Sequence, residues 1–85
     1  MGEVKDVRDL KPIVEKTIKT LYGEGVKDIK MREASQYPIL AEKKTFWKVV
    51  VDFVDEEYER TVELNVNISD GTVTETRETW KWKKA

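Results

Sequence analysis

The segment DFVDEEYE sets Asp52, Asp55, Glu56, Glu57 and Glu59 within eight residues. Carboxylates at that density are the donors a hard cation requires. Calcium takes about 6–8 oxygen ligands, and a tight hairpin tip would turn three carboxylates and some backbone carbonyls toward one point. The D-x-D-x-D-G spacing of a dedicated calcium loop is missing, so the competing expectation is a solvated acidic turn with no cofactor. A second group lies in RETWKWKK, where Trp80 and Trp82 flank Lys81. If exposed, these indoles would stack on bases or other planar ligands, with Lys81, Lys83 and Lys84 supplying charge for an anion or single-stranded nucleic acid. If buried, they would close the edge of a core.

The remaining composition limits the chemistry. Neither cysteine nor histidine occurs among the 85 residues, which removes disulfides, zinc-thiolate sites, imidazole ligands and the Ser-His and Cys-His nucleophile pairs. A non-enzymatic protein is therefore the expectation. Charged residues make up 39% of the chain and Asn, Gln and Cys are scarce, the bias seen in proteins from hot environments. Charge is also unevenly spread. Residues 1–51 carry +3, residues 52–75 carry −7 and residues 76–85 carry +3, so an acidic hairpin and a basic last strand neutralise each other. Nucleic acid is disfavoured as a partner, because a net basic face is not evident. The start MGEVKDVRDLK is charged and nowhere do the ~18 apolar residues of a membrane span follow one another. A cytoplasmic protein with no membrane association is expected.

Elements that would position these groups follow from periodicity. Ile13, Val14, Thr17, Ile18 and Leu21 repeat at helical spacing before Gly23, and proline is tolerated in a first turn, so Pro12 points to a helix over 10–22 capped by Asp9. Residues before Asp9 read as an irregular or frayed lead-in. The period then becomes two, predicting strands over 27–34, 45–54, 59–68 and 72–82. SQYPILAEKK reads as a loop around Tyr37-Pro38 that tucks Ile39 and Leu40 against the sheet. The fold expected is α+β: one N-terminal helix packed on a four-stranded antiparallel meander in order 1-2-3-4, a single domain over 1–85.

Register follows from keeping apolar rows together. A four-residue turn over 55–58 sets Val51 against Val62, Val49 against Leu64 and Trp47 against Val66; a one-residue slip would send a whole row to solvent. At Ser69-Asp70-Gly71, a two-residue turn would set Glu63 against Glu78, whereas a three-residue loop with Gly71 left-handed pairs Glu63 with Arg77 and Glu59 with Lys81. The longer loop is favoured. It puts Arg60 opposite Trp80 and Tyr58 opposite Trp82 on the inner face, with Arg60 stacked on an indole. The core row is then Ile13, Ile18, Leu21, Val49, Val51, Val62, Leu64 and Val66.

The order helix, glycine turn, short strand, W-x-V-x-V-x-F-V from Trp47 to Val54, then a strand running into Ser69-Asp70-Gly71-Thr72-Val73 resembles PepSY-like and cystatin-like helix-on-sheet domains. Trp47 to Asp55, Asp70-Gly71 and the stretch from Arg77 to Trp82 also resemble, over about the last forty residues, the core of the gas vesicle accessory protein O family. That second resemblance implies a role in gas vesicle assembly. From the residues alone, the leading expectation is an interaction or accessory module. Its outer sheet face would offer Phe46, Val50, Val54 and Val73 to a protein partner or a second copy.

Overall fold

The structure, a computed structural model, describes residues 3–84. One helix, α1 (Val7–Tyr22), is followed by β1 (Lys27–Tyr37), β2 (Phe46–Val54), β3 (Tyr58–Asn67) and β4 (Val73–Lys83). The strands form one antiparallel sheet in order β1-β2-β3-β4. This is the α+β arrangement expected. No helix among the described residues is long and apolar enough to cross a membrane.

Helix α1 starts three residues earlier than expected, because Asp6 rather than Asp9 is its cap. The Asp6 carboxylate accepts from the Arg8 amide at 3.0 Å, and Asp9 returns the favour by accepting from the Asp6 amide at 3.2 Å. This reciprocal pair satisfies donors a helix start leaves open, and Pro12 is carried inside the helix. Residues 3–6 are irregular, as expected, but held in place. Val4 is buried, its amide donates to the Ile68 carbonyl at 2.7 Å, and its carbonyl accepts from the Trp47 indole N–H at 2.8 Å. Leu10, Val14 and Ile18 face inward at steps of four, so Tyr22 takes the next inward place and Leu21, expected in the core, is exposed.

The core lies between α1 and one sheet face. Val4, Leu10, Val14 and Ile18 pack against Trp47, Val49, Val51 and Phe53 of β2 and Val62, Leu64 and Val66 of β3. Ile13 is only partly buried at its margin. Each fully covered aliphatic side chain contributes ~1.5–3 kcal/mol, and these alternate strictly along β2 and β3. The β2–β3 ladder has the expected register, from Val54 opposite Glu59 to Trp47 opposite Val66.

The edges of the sheet depart from expectation. Strand β1 continues through Tyr37, and residues 38–45 form the loop. Lys44 Nζ donates to the Pro38 and Ile39 carbonyls at 2.7 and 2.6 Å. The loop closes around that ammonium, leaving Ile39 and Leu40 63% and 99% exposed instead of tucked in.

Between β3 and β4 the register changes twice. The Asn67 amide donates to the Thr72 carbonyl, enclosing four residues, 68–71, where three were expected; Gly71 is left-handed (φ 77°) as expected. Val66 lies opposite Val73. One residue is then extra, and Asn65–Glu75, Leu64–Thr76 and Glu63–Arg77 follow in the predicted register. A second irregularity places Val62 opposite Glu78 but Thr61 opposite Trp80, with Thr79 the extra residue. Bulges of this kind reverse the side-chain alternation beyond them.

Candidate functional site

Those two bulges decide which side chains are presented. Beyond Thr79, Trp80 pairs with Thr61, Lys81 with Arg60, Trp82 with Glu59 and Lys83 with Tyr58. The expected pairs Arg60–Trp80, Tyr58–Trp82 and Glu59–Lys81 do not form. Trp80 and Trp82 stand on the outer face, 47% and 60% exposed, with ring planes 5° apart and centroids separated by 6.4 Å. Two residues along an extended strand span about this distance. The nearer bulge also turns Val73 inward, where it packs on the core across from Val66. Val73 therefore leaves the proposed outer row.

Phe46, Val50 and Val54 do occupy the outer side of β2, all half-buried. At one end of that face Phe46 stacks on Tyr37 with centroids 5.6 Å apart. Trp80 and Trp82 stand at the other, near Val54. Between them runs a belt of ion pairs: Lys48 to Glu63 at 3.4 Å, Arg77 to Glu63 at 3.7 Å and Arg32 to Asp52 at 2.8 Å. Thr61, the one buried polar residue among those described, donates its hydroxyl to Asp52 at 2.7 Å. Aromatic and aliphatic surface with matched charges through its middle suits a protein partner.

The acidic residues singled out for cation binding are distributed rather than convergent. Asp52 lies on the outer face, committed to Thr61 and Arg32. Asp55 closes its own turn: one oxygen accepts from the Glu57 and Tyr58 amides at 2.8 and 2.6 Å, and the other from Arg60 Nε at 2.8 Å. Glu56 and Glu57 are exposed at the tip, and Glu59 is exposed across from Trp82. Among the described residues, no three acidic groups stand together so as to hold a metal ion.

Arg60 does not stack on an indole, contrary to the expected register. Its guanidinium lies between the Tyr22 and Tyr58 rings, 5.0 and 4.9 Å from their centroids, and pairs with both Asp55 and Glu78. Lys81 covers the Tyr58 ring at 4.3 Å. Burial alone would raise the Asp55 carboxyl, but Arg60 and the two turn amides outweigh it and hold its pKa at about 2. Burial, and then the Glu78 charge, push the Tyr22 phenol above its ordinary value. The hollow beside this cluster, about 300 Å³, is lined by Tyr22, Gly25, Asp55, Glu56, Tyr58 and Arg60 among others. Its tyrosine faces are already taken by Arg60, so it closes the sheet end. One sequence signal pointed there. Arg60 is the only cation in an acidic stretch and lies in phase with the inward row of Val62 and Leu64.

Comparison of the chain with protein-family models, with curated proteins and with solved structures yields no match. Its functional reading therefore rests on its own residues.

Proposed function

We propose that this chain is a small non-catalytic interaction module that docks a protein partner on the outer face of its sheet. One observation carries the reading. Helix α1 covers a single face, while the other keeps Trp80 and Trp82 47% and 60% exposed on the same side as Phe46, Val50 and Val54. Exposed tryptophans are expensive to leave in water and are enriched among the residues that dominate protein interfaces. Half-buried valines and the Arg32, Lys48 and Arg77 ion pairs would supply shape and registration around them. A role in gas vesicle assembly, implied by the resemblance of the last forty or so residues, would be one form of this reading.

The test is photo-crosslinking in the cells that make the protein, from a reactive side chain at Val50 and from one at Lys19 on the exposed side of α1. A discrete heavier species from position 50, abolished by Trp80→Ala with Trp82→Ala, is expected. Equal crosslinking from position 19, or crosslinking indifferent to loss of the indoles, refutes the reading.

The same exposure supports a second reading, stacking on a planar ligand or single-stranded nucleic acid. It ranks below the first because indoles and lysines alternate across the sheet. Lys81 lies on the helix side over Tyr58, and Glu59 is the residue opposite Trp82. Among the described residues the cations of that face, Arg32, Lys48 and Arg77, are paired with Asp52 and Glu63, and the hollow beside Trp80 mixes Lys30 and Arg32 with Asp28, Asp52 and Glu59, so no net cationic track runs along the stacking surface. Saturable quenching of Trp82 by oligothymidylate, weakening with salt, would reverse the ranking.

A further inference from the structure

Strand β4 is an edge strand of eleven residues, exposed from Thr74 onward, and among the described residues the sheet order leaves its far side without a strand. Such an edge presents a row of unpaired amides and carbonyls that invites another strand. We propose that the strand it takes is β4 of a second copy, running antiparallel about a two-fold axis to make one eight-stranded sheet. This goes beyond the outer-face reading above, because it uses the free edge of β4 and leaves the face around Val50 open.

Charge selects the partner. The first half of β4 holds Glu75 and Glu78, and the second half is followed by, or contains, Lys81, Lys83 and Lys84. Lysines on an edge repel most incoming strands, but not one that brings carboxylates to meet them, and this strand reversed does so. One register satisfies every position. Thr79 is extra in β4, so Glu78 and Lys81 both lie on the helix side, against Arg60 and Tyr58. Arg77 and Trp82 both lie on the outer side. Setting Glu78 opposite Lys81 of the second copy therefore also sets Arg77 opposite its Trp82, Thr76 opposite its Lys83 and Glu75 opposite its Lys84. The two-fold repeats each pair, and no like charges face each other. Sliding by two residues in one direction would bring Arg77 against Lys84; sliding in the other loses both carboxylate–lysine pairs.

The area is adequate. A tryptophan buries ~150–250 Å² when fully covered. Four half-exposed indoles beside some ten paired residues on each copy approach the ~1,200 Å² of a small specific interface.

The absence of cysteine from the chain makes the register directly testable. Sedimentation of the wild type at sub-millimolar concentration should give a dimer. A Thr76→Cys chain mixed with a Lys83→Cys chain under mild oxidation should give a disulfide-linked heterodimer at least tenfold faster than either chain alone, since only the mixture sets the two thiols opposite each other. A Thr74→Cys chain mixed with Lys83→Cys serves as the out-of-register control. A monomeric wild type, or linkage as fast in the control as in the test pair, overturns the proposal. Failure here is separate from failure of the outer-face reading, which is judged by crosslinks from Val50.

Discussion

The two hairpins built on β3 behave differently. Its ladder with β2 runs in one register over nine pairs, whereas its ladder with β4 changes register twice. The difference lies in what a slip costs. Strand β2 carries four buried apolar side chains in a row, Trp47, Val49, Val51 and Phe53, and β3 carries three, Val62, Leu64 and Val66, so moving either by one residue would expose its whole row. Strand β4, VTETRETWKWK, has no such row, and apart from half-buried Val73 it is exposed along its length. Its register is set by local groups, and bulges are cheap there. A strand tied down by burial is readable; a strand tied down by its neighbours' charges is open to the partner those charges select.

The largest expected effect tests that contrast within a single cross-strand pair. Leu64 is fully buried and Thr76, directly opposite on β4, is exposed. Leu64→Ala should cost ~2–5 kcal/mol in chemical denaturation, and Thr76→Ala less than about 0.5 kcal/mol. Comparable costs at the two positions would mean that β4 is held by burial after all.

The same contrast explains what was legible beforehand. The helix, the four strands, their order and the whole β2–β3 register follow from spacing, because burial enforces spacing. The errors cluster where burial does not act. The Thr79 bulge leaves no pattern in RETWKWKK, since Trp and Lys alternate equally well on either face, and a ladder without the bulge puts Trp80 and Trp82 inward. At Leu21 a three-residue step from Ile18 points inward in the sequence pattern, but the helix takes four to Tyr22. Pro12 places the helix start near Leu10 only if proline must lie in the first turn's opening positions; the Asp6–Asp9 capping pair starts the helix at Val7 and carries the proline inside it.

Gly71 gives the next effect. At φ 77° an added Cβ is strained, and it would also meet Ile13 Cδ1 at 3.2 Å and Val4 Cγ2 at 3.3 Å. Gly71→Ala should destabilise by about 1–2 kcal/mol, while Gly25→Ala, whose Cβ would meet only a flexible Glu56 oxygen at 3.8 Å, should stay near neutral. Equal effects would indicate that the 68–71 turn does not fix the start of β4.

Acid sharpens the comparison at the opposite end of the sheet. The Asp55 carboxyl titrates at about 2 in the folded chain and near 3.9 when unfolded, so the native state binds fewer protons in between. The stabilisation is complete above about pH 4 and is lost as the pH falls toward 2; with some water access it amounts to about 1 kcal/mol. Asp55→Asn should flatten that part of the stability profile. A mutant with the wild-type acid slope would show that the turn between β2 and β3 does not depend on the Arg60 pair.

The smallest effect on stability should come from the residues most exposed. Trp80→Ala and Trp82→Ala should each change stability by less than about 0.5 kcal/mol, because neither indole fills the core. Trp47 is buried and donates its indole N–H to the Val4 carbonyl. Read one at a time with the other two replaced by Phe, and diluted until the chain is monomeric, Trp80 and Trp82 should emit at long wavelength and be quenched freely by iodide, while Trp47 should be blue-shifted and protected. Deleting Thr79 joins Glu78 directly to Trp80 and makes the ladder regular with Thr61 still opposite Trp80, so the two outer indoles should remain quenchable. If the deletion instead protects them, the strand has slid to bring them over Val62 and Leu64. The outward face of β4 would then be a consequence of the bulge residue itself rather than of the charges that flank it.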